Sequence, residues 1–126
     1  MGWDITEKGF EIVLSPKVPD IVRQNFAGDV DAFLEDNDLN RNDINSWIMH
    51  TGGPAILEAT AEALNLPNSA LKASWDCLSR VGNLSSASVL FVLEDFLRNQ
   101  RPLVGSYSIL AAMGPGFCSE LVLLQW

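Results

Sequence analysis

Trp47-Ile-Met-His-Thr-Gly-Gly-Pro-Ala-Ile-Leu57 is the stretch on which the fold turns. Residues 46–49 form a brief apolar run that meets a pair of glycines, the pattern of a buried strand entering a tight turn. Pro54 suits the first turn of a helix, where its missing N–H leaves no bond unmade. Ile56, Leu57, Thr60, Ala61 and Leu64 then recur at helical spacing until Pro67 stops them. The stretch therefore reads strand, turn, helix, with His50 at the C-terminal end of the strand.

Upstream, Phe10-Glu-Ile-Val-Leu14 alternates loosely and ends at Ser15-Pro16, which predicts a short strand. Asp20 is placed to cap a helix carrying Val22, Phe26, Val30, Phe33 and Leu34 on one face, an amphipathic element suited to cover a sheet. Residues 37–45 are polar and read as a loop with one helical turn at most. Downstream, a helix from about Ser69 sets Leu71, Trp75 and Leu78 on one stripe and closes at Gly82. Asn83 follows that break. Residues 86–98 are apolar around most of a helical circumference, which predicts a helix buried between layers. Residues 103–112 and 117–126 are strand-like, and Met113-Gly-Pro-Gly116 between them has the residues of a hairpin turn. The prediction is an α/β domain, a layered mixed β-sheet packed with helices, in the order β-α-β-α-α-α-β-β and ending in a β-hairpin.

With 126 residues and 48% hydrophobic content, one domain over residues 1–126 is expected. A formal net charge of −8 repels phosphate backbones and anionic bilayers, so neither nucleic acid nor membrane is an expected partner. Apolar runs such as 89–93 and 121–124 are too short to span a bilayer. Two cysteines make no disulfide framework and no signal-peptide pattern is present, so a cytoplasmic protein with reduced thiols is expected.

Taken singly, the candidate residues have ordinary explanations. A lone histidine at a strand end is most often a hydrogen-bonded structural residue, and asparagine after glycine is a routine helix cap. Gly114 and Gly116 suit a hairpin for their backbone freedom. One histidine with scattered cysteines offers no metal-ligand spacing, and no bound metal is expected. Cys118 paired with His50 is a conceivable nucleophile, but it opens a strand, and a thiolate is best stabilised at a helix N-terminus. Cys77 and Cys118 are both expected as small buried hydrophobes.

The combination carries more than its parts. Trp47-Ile-Met-His-Thr-Gly-Gly-Pro-Ala-Ile-Leu57, then Gly82-Asn-Leu-Ser-Ser-Ala-Ser-Val-Leu-Phe-Val-Leu93, then Gly114-Pro115-Gly116 before Glu120-Leu-Val-Leu-Leu124 closely resemble the chalcone and stilbene synthase family. The resemblance runs from about Gly9 to the end and covers the C-terminal half of those enzymes, which are type III polyketide synthases with the thiolase fold.

That resemblance implies a thiolase-like half. It also implies a decarboxylative Claisen condensation between an acyl-CoA starter and malonyl-CoA, the CoA thioesters being substrates and no cofactor being required. In the family a cysteine of the N-terminal half attacks the starter, and by resemblance His50 keeps that cysteine as thiolate while His50 and Asn83 bind the malonyl thioester oxygen. Two donors converging on one oxygen in a dry pocket stabilise the enolate as it forms. Gly52, Gly53 and Ala55 correspond to the loop beside the CoA arm, Ser85 to the cyclisation pocket, and Gly114, Pro115 and Gly116 to its floor. The resemblance implies a naringenin-chalcone synthase-like enzyme, but Met113 stands where an aromatic residue is usual and Ile12 where plant members carry a gatekeeper phenylalanine, so starter unit, number of extensions and cyclisation mode stay open. The cysteine and the basic grip on CoA phosphates belong to the N-terminal half, which is expected as this chain's partner, with a homodimer at full length. The chain alone is expected to be inactive in condensation and to expose an apolar face. Two alternatives stand beside this reading: a fragment of a ketoacyl-carrier-protein synthase III-like condensing enzyme, and a non-catalytic thiolase-fold scaffold.

Overall fold

A computed structural model describes residues 2–13, 15–114 and 116–126, and at Trp3 and Ile12 the backbone only. Expectations placed on Leu14, on Pro115 and on the Ile12 side chain lie outside the described residues.

The chain opens with an antiparallel hairpin, β1 (Gly2–Thr6) and β2 (Gly9–Val13), which forms its own two-stranded sheet. β1 is an addition to the predicted order. Its alternation is five residues long, and burial, which is what makes alternation legible, is missing: Ile5, Phe10 and Val13 are all exposed. Gly9 closes the turn at φ +117, a conformation that favours glycine.

α1 (Val18–Glu35) begins two residues ahead of Asp20, with Pro19 in its first turn and no side chain capping it. Asp20 is therefore a first-turn residue, and it meets Arg23 at 3.1 Å instead of serving as the cap. Val18, Val22, Phe26, Val30 and Leu34 form a buried row along the helix, one residue per turn. The polar stretch that follows contains a 3₁₀ turn at Arg41–Asp43, boxed by Asn40 and Asp43. Arg41 reaches back to both carboxylate oxygens of Asp31 at 2.5 Å, which holds the Asp31 carboxyl below its usual pKa.

β3 (Ile44–Met49) runs parallel to β4 (Tyr107–Gly114), and β4 pairs antiparallel with β5 (Cys118–Gln125), giving the order β3-β4-β5. Between β3 and β4 lie α2 (Pro54–Leu64), a 3₁₀ turn at Asn68–Leu71 continuous with α3 (Lys72–Val81), and α4 (Ser88–Asn99). β4 starts at Tyr107, later than the strand-like text suggested. Gly105 at φ +83 turns the chain, and its N–H donates to the Trp126 carbonyl at 2.5 Å.

Alternation along the strands divides the core in two. Trp47, Met49, Ile109 and Ala111 point to one face and pack with α1 and α2 around Phe26, Leu34 and Leu57. Ile48 points to the other, where Ala73 and Cys77 of α3 and Val92 and Phe96 of α4 meet it, with Leu110 and Leu124 partly buried against them. The result is the predicted layered mixed sheet packed with helices, which here lie on both of its sides. Trp126 finishes the second face, its indole N–H donating to Ser108 Oγ at 2.9 Å and its ring 5.7 Å from Phe96.

Two expectations are corrected on this second face. α4 is not buried all round: Leu90, Phe91 and Leu97 are exposed, because the sheet meets only the stripe of Val92 and Phe96. Cys77 is buried as expected, but Cys118 is exposed. It pairs with Gly114 at the tip of the hairpin.

Candidate active site

β3 and β4 are parallel, so their C-terminal ends share one edge of the sheet, and the candidate residues gather there. His50 continues the ladder one residue past β3, its N–H donating to the Ala111 carbonyl at 2.9 Å. Carrying the alternation one step further puts His50 on the face of Ile48, the side of α3 and α4. The strand end is anchored from that side. Ser74 of α3, fully buried, accepts from Met49 N–H at 3.1 Å and donates to Met49 carbonyl oxygen at 2.8 Å.

His50 is half-buried, and removal from water lowers its pKa below the ordinary 6.5. A neutral imidazole near pH 7 follows, able to act as a base or, through its N–H, as a donor. Its carbonyl accepts from Gly52 N–H at 2.9 Å, closing the turn. Gly53 then adopts φ +127 to start α2. A β-carbon at Gly52 would lie 3.2 Å from Ile56 Cγ2, so this turn has little room for larger residues. Ala55 sits exposed in the first turn of α2.

Asn83 arrives from the opposite direction, at the end of α3. Gly82 breaks that helix at φ +72. The exposed Asn83 side chain folds back on its own turn, Oδ1 accepting from Ser85 N–H at 2.9 Å. A backbone N–H can only donate, so this bond engages the acceptor end of the amide and leaves Nδ2, the donor end, outside it. Ser85 is exposed and held at φ +57, a left-handed conformation that costs a non-glycine residue roughly 1 kcal/mol or more.

The two turns are tied together. Thr51, fully buried, donates from Oγ1 to the Gly82 carbonyl at 3.2 Å, so the residue after His50 is bonded to the residue before Asn83. Thr51, Ser74 and Ser88, the buried hydroxyls of this region, escaped the sequence reading. Pairings across 25 and 31 residues have no local signature in the text.

Met113 and Gly114 extend past the level of Met49 at the same sheet edge. Met113 packs toward the α1 side with the larger cluster, and alternation turns Gly114 to the face of His50. Gly116 takes φ +79 in the hairpin turn. The structure thus joins His50, Gly52, Gly53 and Asn83 closely, sets Gly114 and Gly116 at the same end, and leaves β2 in the separate hairpin sheet. A separate hollow runs along α3 from Lys72 to Arg80, against the C-terminal part of α4. Its charges are already matched, Arg80 to Asp95 at 2.6 Å and Lys72 to Asp76 at 2.5 Å. Among the described residues no group of three His, Cys, Asp or Glu side chains could hold a metal, and no helix is long and apolar enough to cross a membrane.

Comparison with known proteins identifies the family and the fold. The family model described as chalcone and stilbene synthases, C-terminal domain, matches residues 1–126. The chain is 51% identical over its whole length to 33% of the 1,3,6,8-tetrahydroxynaphthalene synthase of Streptomyces peucetius subsp. caesius. It is 35% identical over 98% of its length to 32% of the 3,5-dihydroxyphenylacetyl-CoA synthase of Streptomyces toyocaensis. Among solved structures, the 1,3,6,8-tetrahydroxynaphthalene synthase of Streptomyces coelicolor A3(2), a bacterial type III polyketide synthase, superposes with a TM-score of 0.91 at 28% identity, covering 99% of this chain and 36% of that one. The chain spans about a third of the length of the curated relatives it matches. Over its whole length, the chain belongs to the chalcone and stilbene synthase family, as its C-terminal domain.

Proposed function

We propose that this chain supplies the histidine and asparagine of a type III polyketide synthase site, in which an acyl-CoA starter is extended by decarboxylation of malonyl-CoA. The observation that carries this is the Thr51–Gly82 hydrogen bond, which draws the turns of His50 and Asn83 together at one sheet edge. An imidazole N–H and an amide Nδ2 converging on one thioester oxygen stabilise the negative charge that develops as CO₂ leaves. His50 also serves the cysteine contributed by the N-terminal part of the synthase. A thiolate beside it favours the imidazolium, opposing the downward pull of burial on its pKa. The turn at Gly52 and Gly53, with Ala55, lies beside the CoA arm. Ser85, Ile12, Met113 and Gly114-Pro115-Gly116 belong to the starter and cyclisation pocket. The substrates are CoA thioesters, and the partner of this chain is the cysteine-bearing half, in a homodimeric enzyme.

The scaffold reading is less well supported, since a scaffold needs neither a half-buried histidine at a strand end nor an asparagine with its donor end left outside its turn's hydrogen bond. The test is a chimeric synthase, in which this chain replaces the third of the S. peucetius enzyme that it matches. CO₂ release from malonyl-CoA is expected, and His50→Ala or Asn83→Ala should each lower its rate on the order of a hundredfold. Undiminished release in both variants overturns the assignment.

A further inference from the structure

Asn83 is held through its two neighbouring peptides. The carbonyl of the Gly82–Asn83 peptide accepts from Thr51 Oγ1 at 3.2 Å, and the N–H of the Asn83–Leu84 peptide donates to Ser88 Oγ at 2.6 Å. Both hydroxyls are fully buried, although Asn83, Leu84 and Ser85 are themselves exposed. Each hydroxyl also comes from an element other than the turn it grips: Thr51 from the strand-to-helix turn of His50, Ser88 from the first residue of α4. Ser88 Oγ lies 3.5 Å from Asn83 Oδ1 as well, and having accepted from Leu84 it has its own proton to direct there. The exposed turn would otherwise rely on the short Ser85 N–H bond and on a strained Ser85, neither of which sets its position relative to His50.

We propose that Thr51 and Ser88 are positioning residues whose buried hydroxyls clamp the peptides on either side of Asn83, and so fix where its side-chain amide points relative to His50. Neither touches the substrate. The proposal rests on the reading of Asn83 as a donor to the thioester oxygen. An error of about 1 Å in such a group can cost on the order of a hundredfold in rate, so a clamp that confines it carries real weight.

The test uses the chimeric synthase and the variants Thr51→Val and Ser88→Ala, alone and combined with Asn83→Ala. Each clamp variant should lower kcat for malonyl-CoA decarboxylation about tenfold while KM changes about twofold or less, because the group displaced acts on developing charge. Thr51→Ser, which keeps the hydroxyl, should restore kcat. In the Asn83→Ala background the clamp variants should cause no further loss in kcat, although thermal melting still records their lost hydrogen bonds. That pattern separates positioning from general weakening of the fold. Equal losses with and without Asn83, or unchanged kcat in both clamp variants, overturn the clamp. If Asn83→Ala alone has no effect, the reading of Asn83 as a donor falls and takes the clamp with it. If Asn83→Ala is damaging and the clamp variants are not, the clamp alone falls. Should Ser88→Ala fail to fold, Ser88→Cys, with its poorer acceptor, replaces it in the same comparison.

Discussion

The face of the sheet under α1 and α2 buries Trp47, Met49, Ile109 and Ala111 beneath two helices, whereas the face under α3 and α4 buries Ile48 yet leaves Val122 of β5 exposed. Both faces are lined with apolar side chains at period two. On the first, α1 spans the sheet and lies against α2 along its length, and Ser119 of β5 donates to Asp29 of α1 at 2.9 Å, so the cover reaches the hairpin. On the second, α3 and α4 meet Ile48, with Leu110 and Leu124 only partly buried against them, while His50 is half-buried and Asn83 exposed at the sheet edge. The closed core and the proposed site thus lie on opposite sides of one sheet. A site that admits a thioester arm, as proposed above, cannot also be the best-packed part of its domain.

This contrast can be broken most directly on the closed side. Phe26→Ala removes a fully buried ring from the larger cluster and should cost about 3–5 kcal/mol in denaturant unfolding. A cost under about 1 kcal/mol would show that this side is not the stabilising one. The next effect is smaller and concerns the site edge. Burial lowers the His50 pKa, so below the ordinary 6.5 the unfolded chain takes up the proton first. Stability from this group is therefore full above that pH and is lost as pH falls through the folded value. His50→Gln should flatten the acid limb of the stability curve relative to the parent chain, and an unchanged limb would refute the burial effect. The smallest effect is expected on the open side. Leu90 is 62% exposed on α4, and Leu90→Ala should change the stability of this chain by about 0.5 kcal/mol or less. A loss comparable with that of Phe26→Ala would mean that the second face is closed after all.

Legibility followed burial and locality. The strand, turn and helix at 47–57 were readable because an apolar run, a glycine pair and a proline each dictate backbone conformation within a few residues. α1 was readable from one buried row, though its start was displaced because Pro19 at the first turn outweighed Asp20 as a cap. β1 was not readable, since a hairpin with exposed faces imposes no strong pattern. At the site, His50 and Asn83 stood out through the resemblance of whole motifs, while Thr51 and Ser88 looked like any small polar residues. Their meaning lies in which peptide each grips: Thr51 reaches across 31 residues to Gly82, and the local grip of Ser88 on Leu84 N–H depends on the backbone path of the turn. The exposure of Leu90 and Leu97 was equally hidden, because a helix apolar on several faces does not declare which face a neighbour will cover.

The parallel pairing of β3 with β4 has a kinetic consequence. β4 and β5 are joined by a tight turn and can zip together locally, on a timescale of about microseconds. β3 can join them only after the intervening chain of α2, α3 and α4 has been folded back, bringing Ile44 to Tyr107. Such a distant closure is entropically costly and slow compared with helix or hairpin formation. The ladder bond from His50 to Ala111 belongs to that late event. During refolding, hairpin signals should therefore mature first, and the imidazole should reach its native surroundings among the last groups to do so.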